Sequence, residues 1–330
     1  MAVFVEVKYS FIIPTVGNRE NIFKIIVAIN ESGLENYEII VVLQINANTQ
    51  KVIKDCLENL NDIILVTTRE FASTSLARNN GAEMSQGKIL CFIDDDVFPT
   101  ETLFKFLADI DNASAKILFP EIKNSEYIPF PLGDHVGGRG FFSACFIIER
   151  EEYLRIGGMS GRLSLFRDDS EFYIRAVKNG IKLEIIQDVY VWHPVRFTTS
   201  KTIQQMFRKQ KLEPLFHNLV SGRYAGVLYA KPYNFLANRY GFSVASYFLI
   251  TSVILIVIAA FTEPSILIVS ILVYVGLSTI PSAMYFKNPR VFLTRKSSRL
   301  LIKISIYLII FPVFILARII GSIRYRHFTL

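Results

Sequence analysis

Three adjacent carboxylates, Asp94-Asp95-Asp96, end the apolar run Lys88–Ile93. Carboxylates packed this closely repel one another unless a cation sits among them, and two of them one residue apart can reach the same hard ion. Asp94 and Asp96 are therefore candidate ligands for Mg²⁺ or Mn²⁺, an ion that would neutralise charge building up on a phosphorylated leaving group. The bland alternative is an acidic turn that merely ends a strand. A second acidic pair, Asp168-Asp169, opens a helical pattern. It could cap that helix, or it could supply a general base for a hydroxyl nucleophile. His193 follows an aromatic strand, and a lone histidine there is more often a satisfied structural residue than a ligand. Arg78 ends an apolar helix face and either meets a diphosphate or faces solvent. Arg175, two turns after Asp168, is best read as a structural ion-pair partner for that acidic segment.

The elements that must position these groups alternate between two periods, as in a parallel α/β sheet. Strands are expected at Tyr9–Ile13, Glu38–Leu43, Ile63–Thr67, Lys88–Ile93, Lys116–Pro120, Ser143–Ile148 and Lys182–Ile186, with an extended segment at Val189–His193. Helices are expected at Arg19–Asn30, Thr49–Leu60, Thr74–Met84, Glu101–Ile110 and from the 168–171 segment to Lys178, where Asn179-Gly180 makes a C-cap. Ligands bind beyond the carboxyl ends of strands in such sheets, and the aspartate triplet stands at one of those ends. Gly137-Gly138-Arg139-Gly140 lacks the strand-to-helix context of a phosphate cradle and reads as an acceptor or lid loop.

Charge and hydropathy divide the chain. Residues 1–195 hold 19 Lys and Arg against 27 Asp and Glu, a net −8, whereas residues 196–330 hold 17 against 2, a net +15. From Ser243 to Phe286 the only charged residue is Glu263. Ser243–Phe261 and Ser265–Phe286 are each long enough to span a bilayer and form a hairpin about Thr262-Glu263-Pro264. The basic loop Lys287–Arg299 would then lie on the side of the acidic head. A further apolar stretch, 300–323, has only 14 uncharged residues between Lys303 and Arg318 and can span if those two side chains snorkel. Lys201, Arg208, Lys209 and Lys211 lie on an amphipathic helix of the 199–240 segment, the pattern of an interfacial helix that could hold an anionic lipid headgroup. The positive charge flanks apolar segments, so a membrane partner fits and nucleic acid does not. Glu6 and Lys8 interrupt the first apolar run, so the head is expected on the cytoplasmic face of the cell membrane. Three cysteines without paired spacing indicate neither a disulfide framework nor a zinc site.

Over about residues 8–195 the chain resembles the family 2 glycosyltransferases. The resemblance rests on Ser10-Phe11-Ile12-Ile13-Pro14-Thr15, Ala77-Arg78-Asn79-Asn80-Gly81, Phe92-Ile93-Asp94-Asp95-Asp96, Ile156-Gly157-Gly158, Asp168 through Arg175, and His193, in that order. It implies a GT-A fold, a mixed α/β sheet flanked by helices, joined here to a C-terminal transmembrane domain. The implied domains are 1–198 (catalytic), 199–240 (interfacial) and 241–330 (transmembrane). It also implies a nucleotide-sugar donor held by Pro14, Thr15, Gln44, Arg78, Asp94 and Asp95, with metal on Asp94, Asp96 and His193. The second acid of the pair, Asp169, becomes the base, and Asp168 replaces the family's usual Glu. Where the family commonly carries an acidic pair against the nucleobase, this chain has Leu43-Gln44-Ile45-Asn46, which leaves UDP and GDP unseparated.

The expected activity is transfer of one sugar, with inversion, to a lipid-linked acceptor, either a polyprenyl phosphate or a polyprenyl-linked glycan. A processive polysaccharide synthase is the rival enzyme. Those proteins usually show Gln-x-x-Arg-Trp, whereas Gln205-Met206-Phe207-Arg208 is followed here by Lys209. A non-catalytic scaffold that binds sugar nucleotides is the third possibility.

Overall fold

The computed structural model describes residues 6–45, 49–68, 73–110, 115–123, 143–163, 167–193, 199–220 and 316–326. The chain divides into two compact units, Met1–Arg196 and Phe197–Leu330.

In the first unit, seven strands form one sheet: β1 (Tyr9–Thr15), β2 (Tyr37–Gln44), β3 (Ile64–Thr68), β4 (Ile89–Ile93), β5 (Lys116–Lys123), β6 (Cys145–Glu149) and β7 (Lys182–Trp192). Their order across the sheet is β3-β2-β1-β4-β6-β5-β7. The first four run parallel, β6 runs antiparallel to both of its neighbours, and β5 and β7 are parallel to each other. The sheet is therefore mixed, as the GT-A resemblance implies, and not wholly parallel as strand–helix alternation alone suggests.

Both faces are covered. Helices α1 (Asn21–Asn30), α2 (Lys51–Glu58) and α4 (Glu101–Asp109) lie on one face, and α3 (Thr74–Met84), α5 (Arg150–Arg155) and α6 (Asp168–Lys178) lie on the other. Successive strand residues point to opposite faces, so a central strand must be apolar throughout. In β4, Ile89, Cys91 and Ile93 enter the first core, while Leu90 and Phe92 enter the second. There Phe92 stacks on Phe146 with centroids 4.5 Å apart, and Phe119 meets Tyr173 edge-on at 5.1 Å. Such pairs add about 0.5–1.5 kcal/mol each beyond their buried area.

Three boundaries differ from the sequence reading for physical reasons. Helix α1 begins at Asn21, which leaves Arg19 in the turn after β1. The two segments expected at 182–186 and 189–193 join into the single strand β7. Its register against β5 shifts between Phe119 and Glu121, on either side of Pro120, which has no N–H to continue the ladder. Asp188 takes up the slack with φ at 60°. Helix α5 is six residues long and too short for its period to show. The Asn179-Gly180 cap forms as expected, with Gly180 at φ 83° and its N–H on the Val177 carbonyl at 3.1 Å.

In the second unit, α7 (Thr199–Leu219) contains the expected interfacial segment and carries Pro214 in its interior. Residues 316–325 are also helical. Arg318 is 4 % exposed and its Nε donates to Gln210 Oε1 of α7 at 2.7 Å. Gly321 lies against the Lys211 backbone, where a Cβ would overlap the carbonyl. No described helix is long and apolar enough to cross a membrane. The spans expected at 243–261 and 265–286, the loop at 129–140 and residues 300–315 of the third stretch lie outside the described residues.

Gly81 of α3 crosses β1 so closely that a Cβ would overlap Ile12 Cγ2 and come within 3.1 Å of Val42 Cγ2. Helix propensity favours alanine there by about 0.5–1 kcal/mol, whereas overpacking against a fully buried β-branched side chain costs about 1–3. Gly81→Ala is therefore expected to lower stability by about 1–2 kcal/mol in urea unfolding, and Gly81→Val by more.

Candidate active site

Strands β1 and β4 are parallel neighbours, so their carboxyl ends lie side by side, and β2 ends next to them at Gln44. Thr15 at the end of β1 is 3 % exposed, and its hydroxyl donates to Asp95 Oδ2 at 2.6 Å. It also accepts the Gly17 N–H at 3.0 Å, which fixes the turn. Pro14 and Gln44 are buried at the same edge.

The aspartates of the triplet divide their partners. Asp94 accepts from Arg78, Asp95 from Thr15 and Arg19, and Asp96 faces both His193 and Arg19. The His193 Nε2–Asp96 Oδ1 distance is 3.4 Å, and Arg19 Nη1 lies 2.8 Å from Asp96 Oδ2. His193 arrives there because the backbone of Trp192 exchanges both hydrogen bonds with Phe98, at 2.8 and 3.0 Å, two residues past Asp96. The end of β7 is thereby pinned beside the acidic turn.

Arg78 is 2 % exposed and does not face solvent. Its Nη2 donates to Asp94 and to the Ser143 carbonyl at 2.9 Å, while its Nε is buried with no acceptor among the described residues. Its neighbours on α3 explain the rest of the Ala77–Gly81 motif. Ala77 packs in the core, and Asn79 clamps the Gly157-Gly158 turn. Asn79 Nδ2 donates to the Met159 carbonyl at 2.8 Å, and its Oδ1 accepts from Met159 N at 2.8 Å and Tyr153 OH at 2.7 Å. Gly158 sits at φ 59°, where any Cβ would strike the Asn79 amide.

Helix α6 presents the second acidic pair. Ser75 of α3 donates to Asp168 Oδ2 at 2.5 Å, and Asp169 accepts from the Ser170 N–H at 2.6 Å. Arg167, just before the helix, has φ 65°, a conformation that costs a non-glycine residue about 1 kcal/mol or more. Arg175 has the structural role expected of it: it holds Glu171 with two 2.8 Å bonds and donates to the Ile156 and Gly158 carbonyls. The charge of Arg78 acts on Asp94 and Asp168 together, so α3 draws both acidic segments to one locus.

Burial, opposed by Arg78, pushes the Asp94 carboxyl up to about 6. Asp169 also rises to about 6, through burial and the adjacent Asp168. Asp96 moves the other way: burial raises it, but the His193 hydrogen bond and the Arg19 charge outweigh that and hold it below the usual carboxylate range. Burial lowers His193, yet Asp96 more than compensates and raises it. At neutral pH Asp96 is thus an anion and Asp169 a base close to its working range.

Among the described residues, no group of three or more His, Cys, Asp or Glu side chains forms a ready-made metal cage. Asp94, expected on the metal, is turned to Arg78. Asp96 and His193 remain as a hard oxygen and an imidazole nitrogen beside a guanidinium that already occupies cationic space. That donor set fits Mn²⁺ or Mg²⁺ completed by phosphate oxygens and water. Arg208 of α7 is exposed and Lys211 half-buried, which leaves both in the second unit. Sequence reasoning missed Arg19, Ser75 and Asn79. Arg19 carried one available signal, a cation four residues after the end of a strand that neighbours the aspartate strand.

Because Asp169 ionises near 6 when folded and at 3.8 as an unperturbed carboxyl, the folded chain holds its proton longer, and stability falls as pH rises through that window. Asp169→Asn keeps the acceptor for Ser170 and removes the ionisation. It is expected to exceed wild type in stability at pH 8 by about 1–3 kcal/mol, with the gap closing near pH 4, in urea unfolding.

Residues 10–171 match the family model described as Glycosyl transferase family 2. The amylovoran biosynthesis glycosyltransferase AmsB of Erwinia amylovora is 23 % identical over 205 residues, covering 55 % of this chain and 67 % of that protein. Among solved structures, the mannosyltransferase PcManGT of Pyrobaculum calidifontis, in complex with GDP-Man and Mn²⁺, has a TM-score of 0.56 at 13 % identity, covering 97 % of this chain and 87 % of that one. Residues 1–349 of S. aureus TarS in complex with UDP-GlcNAc give a TM-score of 0.51 at 14 % identity, covering 97 % and 93 %. This chain spans 43 % of a longer TarS chain. Just under half of the chain, residues 10–171, thus matches the family 2 glycosyltransferase model, and the sheet order and strand-end carboxylates of that stretch fit a GT-A fold.

Proposed function

We propose that this chain is a membrane-anchored, metal-dependent, inverting glycosyltransferase that moves one sugar from a nucleoside diphosphate donor to a lipid-linked acceptor. The observation that carries the reading is the pair of acidic segments drawn to Arg78 at the carboxyl edge of the sheet, one beside His193 and the other at the start of α6. Asp96 and His193 would hold Mn²⁺ or Mg²⁺, which when bound supplies charge neutralisation to the departing diphosphate. Asp94, fixed by Arg78, and Asp95, fixed by Thr15, line the same edge and are suited to accept from the donor's ribose hydroxyls. Gln44 offers a donor and an acceptor to a base edge. Where the acceptor is a sugar hydroxyl of a lipid-linked glycan, Asp169 takes its proton as the oxygen attacks the anomeric carbon from the side opposite the diphosphate, whereas a polyprenyl phosphate, already ionised, attacks without a base. A single displacement of this kind inverts the configuration.

The membrane part of the reading rests on the apolar 243–286 hairpin and the +15 charge of residues 196–330. Lys201, Arg208, Lys209 and Lys211 would attract an anionic polyprenyl phosphate, each contributing on the order of 1 kcal/mol beside an anionic surface.

With a hydroxyl acceptor, Asp169→Asn is expected to keep donor affinity and lose about two to four orders of magnitude in turnover, measured as sugar transfer from UDP- and GDP-sugars. Full turnover with such an acceptor would remove Asp169 as the base, and turnover spared only with a polyprenyl phosphate marks an acceptor that is already ionised. Reversal of Arg208 and Lys209 to Glu is expected to raise KM for a long-chain polyprenyl phosphate and leave donor hydrolysis unchanged. Equal acceptor kinetics would reduce α7 to a topological element.

A further inference from the structure

The site contains two arginines held in opposite ways. Arg78 is enclosed, 2 % exposed, and anchored by both Asp94 and a backbone carbonyl. Arg19 comes from the turn before α1, has 46 % of its side chain exposed, and is paired among the described residues with two carboxylates, Asp95 Oδ1 and Asp96 Oδ2. One Arg19 nitrogen, Nη1, bridges the two acids. That is the bonding position of a cation shared between neighbouring carboxylates, and Asp96 is the residue whose lone pairs a divalent ion would need.

We propose that Arg19 is a built-in counter-cation: it occupies the Asp95–Asp96 pair until a metal–nucleoside diphosphate arrives, then yields Asp96 to the metal and pairs with a donor phosphate. The inference rests on the metal-dependent reading of the site and specifies how that site loads. A guanidinium and a divalent ion cannot share the same oxygens, because both are cations and would lie within a few ångström of each other. Metal alone must therefore displace Arg19 into water with nothing gained for the arginine. Metal carried by a diphosphate brings anionic oxygens that take over the released guanidinium, which suits Arg for bidentate phosphate contact. The exposed half of the Arg19 side chain gives it room to swing, whereas Arg78 has none. Metal and nucleotide should then bind with positive coupling, each raising affinity for the other. A site with bare carboxylates would take up free cation first.

The test is titration of MnCl₂ alone into the purified full chain, followed by electron paramagnetic resonance of unbound Mn²⁺, and then titration of UDP and GDP at fixed Mn²⁺. Arg19→Gln is expected to bind Mn²⁺ alone at least tenfold more tightly than wild type, and to bind the better nucleotide about tenfold more weakly in the presence of Mn²⁺. Arg19→Lys, which keeps the charge, should fall between the two in both titrations. Unchanged or weakened Mn²⁺ affinity in Arg19→Gln overturns the inference. Asp96→Ala separates that result from failure of the underlying reading. If Asp96→Ala abolishes Mn²⁺ binding while Arg19→Gln leaves it as in wild type, the metal site stands and the counter-cation does not. If neither substitution alters Mn²⁺ binding, both fall.

Discussion

Arg78 brings a full positive charge into the packed layer between α3 and the sheet, and the carboxyl edge is organised around that charge. A guanidinium this deeply buried is tolerable only with anionic and carbonyl acceptors close by, which Asp94 and Ser143 supply. Removing either member of such a pair leaves the other charged and desolvated, typically a loss of about 3–5 kcal/mol. The pair therefore fixes where β4 ends, how the Asp94–Asp96 turn leaves the sheet, and how α3 lies across β1. Gly81 and Ala77 make the close helix–strand approach possible, and Asn79 uses the same helix to hold the Gly157-Gly158 turn. One short helix thus serves packing, charge and loop geometry together.

The consequence for chemistry is a division of labour among like charges. Five aspartates stand near one edge, and left alone they would all be raised by mutual repulsion. Arg19 and His193 hold Asp96 ionised, while Asp94 and Asp169 are left with carboxyls near 6. Environments that drive neighbouring acids apart in this way let one bind cations while another moves protons.

Much of this was legible in the sequence because two of its signals are local. The apolar runs at 39–43 and 89–93 are buried on both faces, so they read as central strands without ambiguity, and the aspartate triplet follows one of them directly. The Asp168–Arg175 segment read correctly as an acidic helix start with a structural arginine. Signals that depend on the third dimension did not read. The antiparallel insertion of β6 leaves no trace in strand spacing, and the break opposite Pro120 split β7 into two apparent pieces. Arg19 looked like the first residue of a helix because its partners lie some 76 residues away. Arg78 read as a diphosphate contact or a solvent-facing residue because nothing local announces its buried acceptors Asp94 and Ser143. The Arg318–Gln210 bond did not read because the two residues are 108 positions apart.

The bridge between Phe98 and Trp192 sets a further condition on how the protein comes into being. Six of the seven strands are complete by Glu149, so a growing chain can assemble most of its sheet while the ribosome is still adding the remainder. His193 joins Asp96 only when β7, the last strand made, has docked on β5 and closed onto Phe98. Most of a nascent head is therefore folded before its carboxyl edge is complete, and the Asp96–His193 corner is closed by some of the last residues of its unit to emerge.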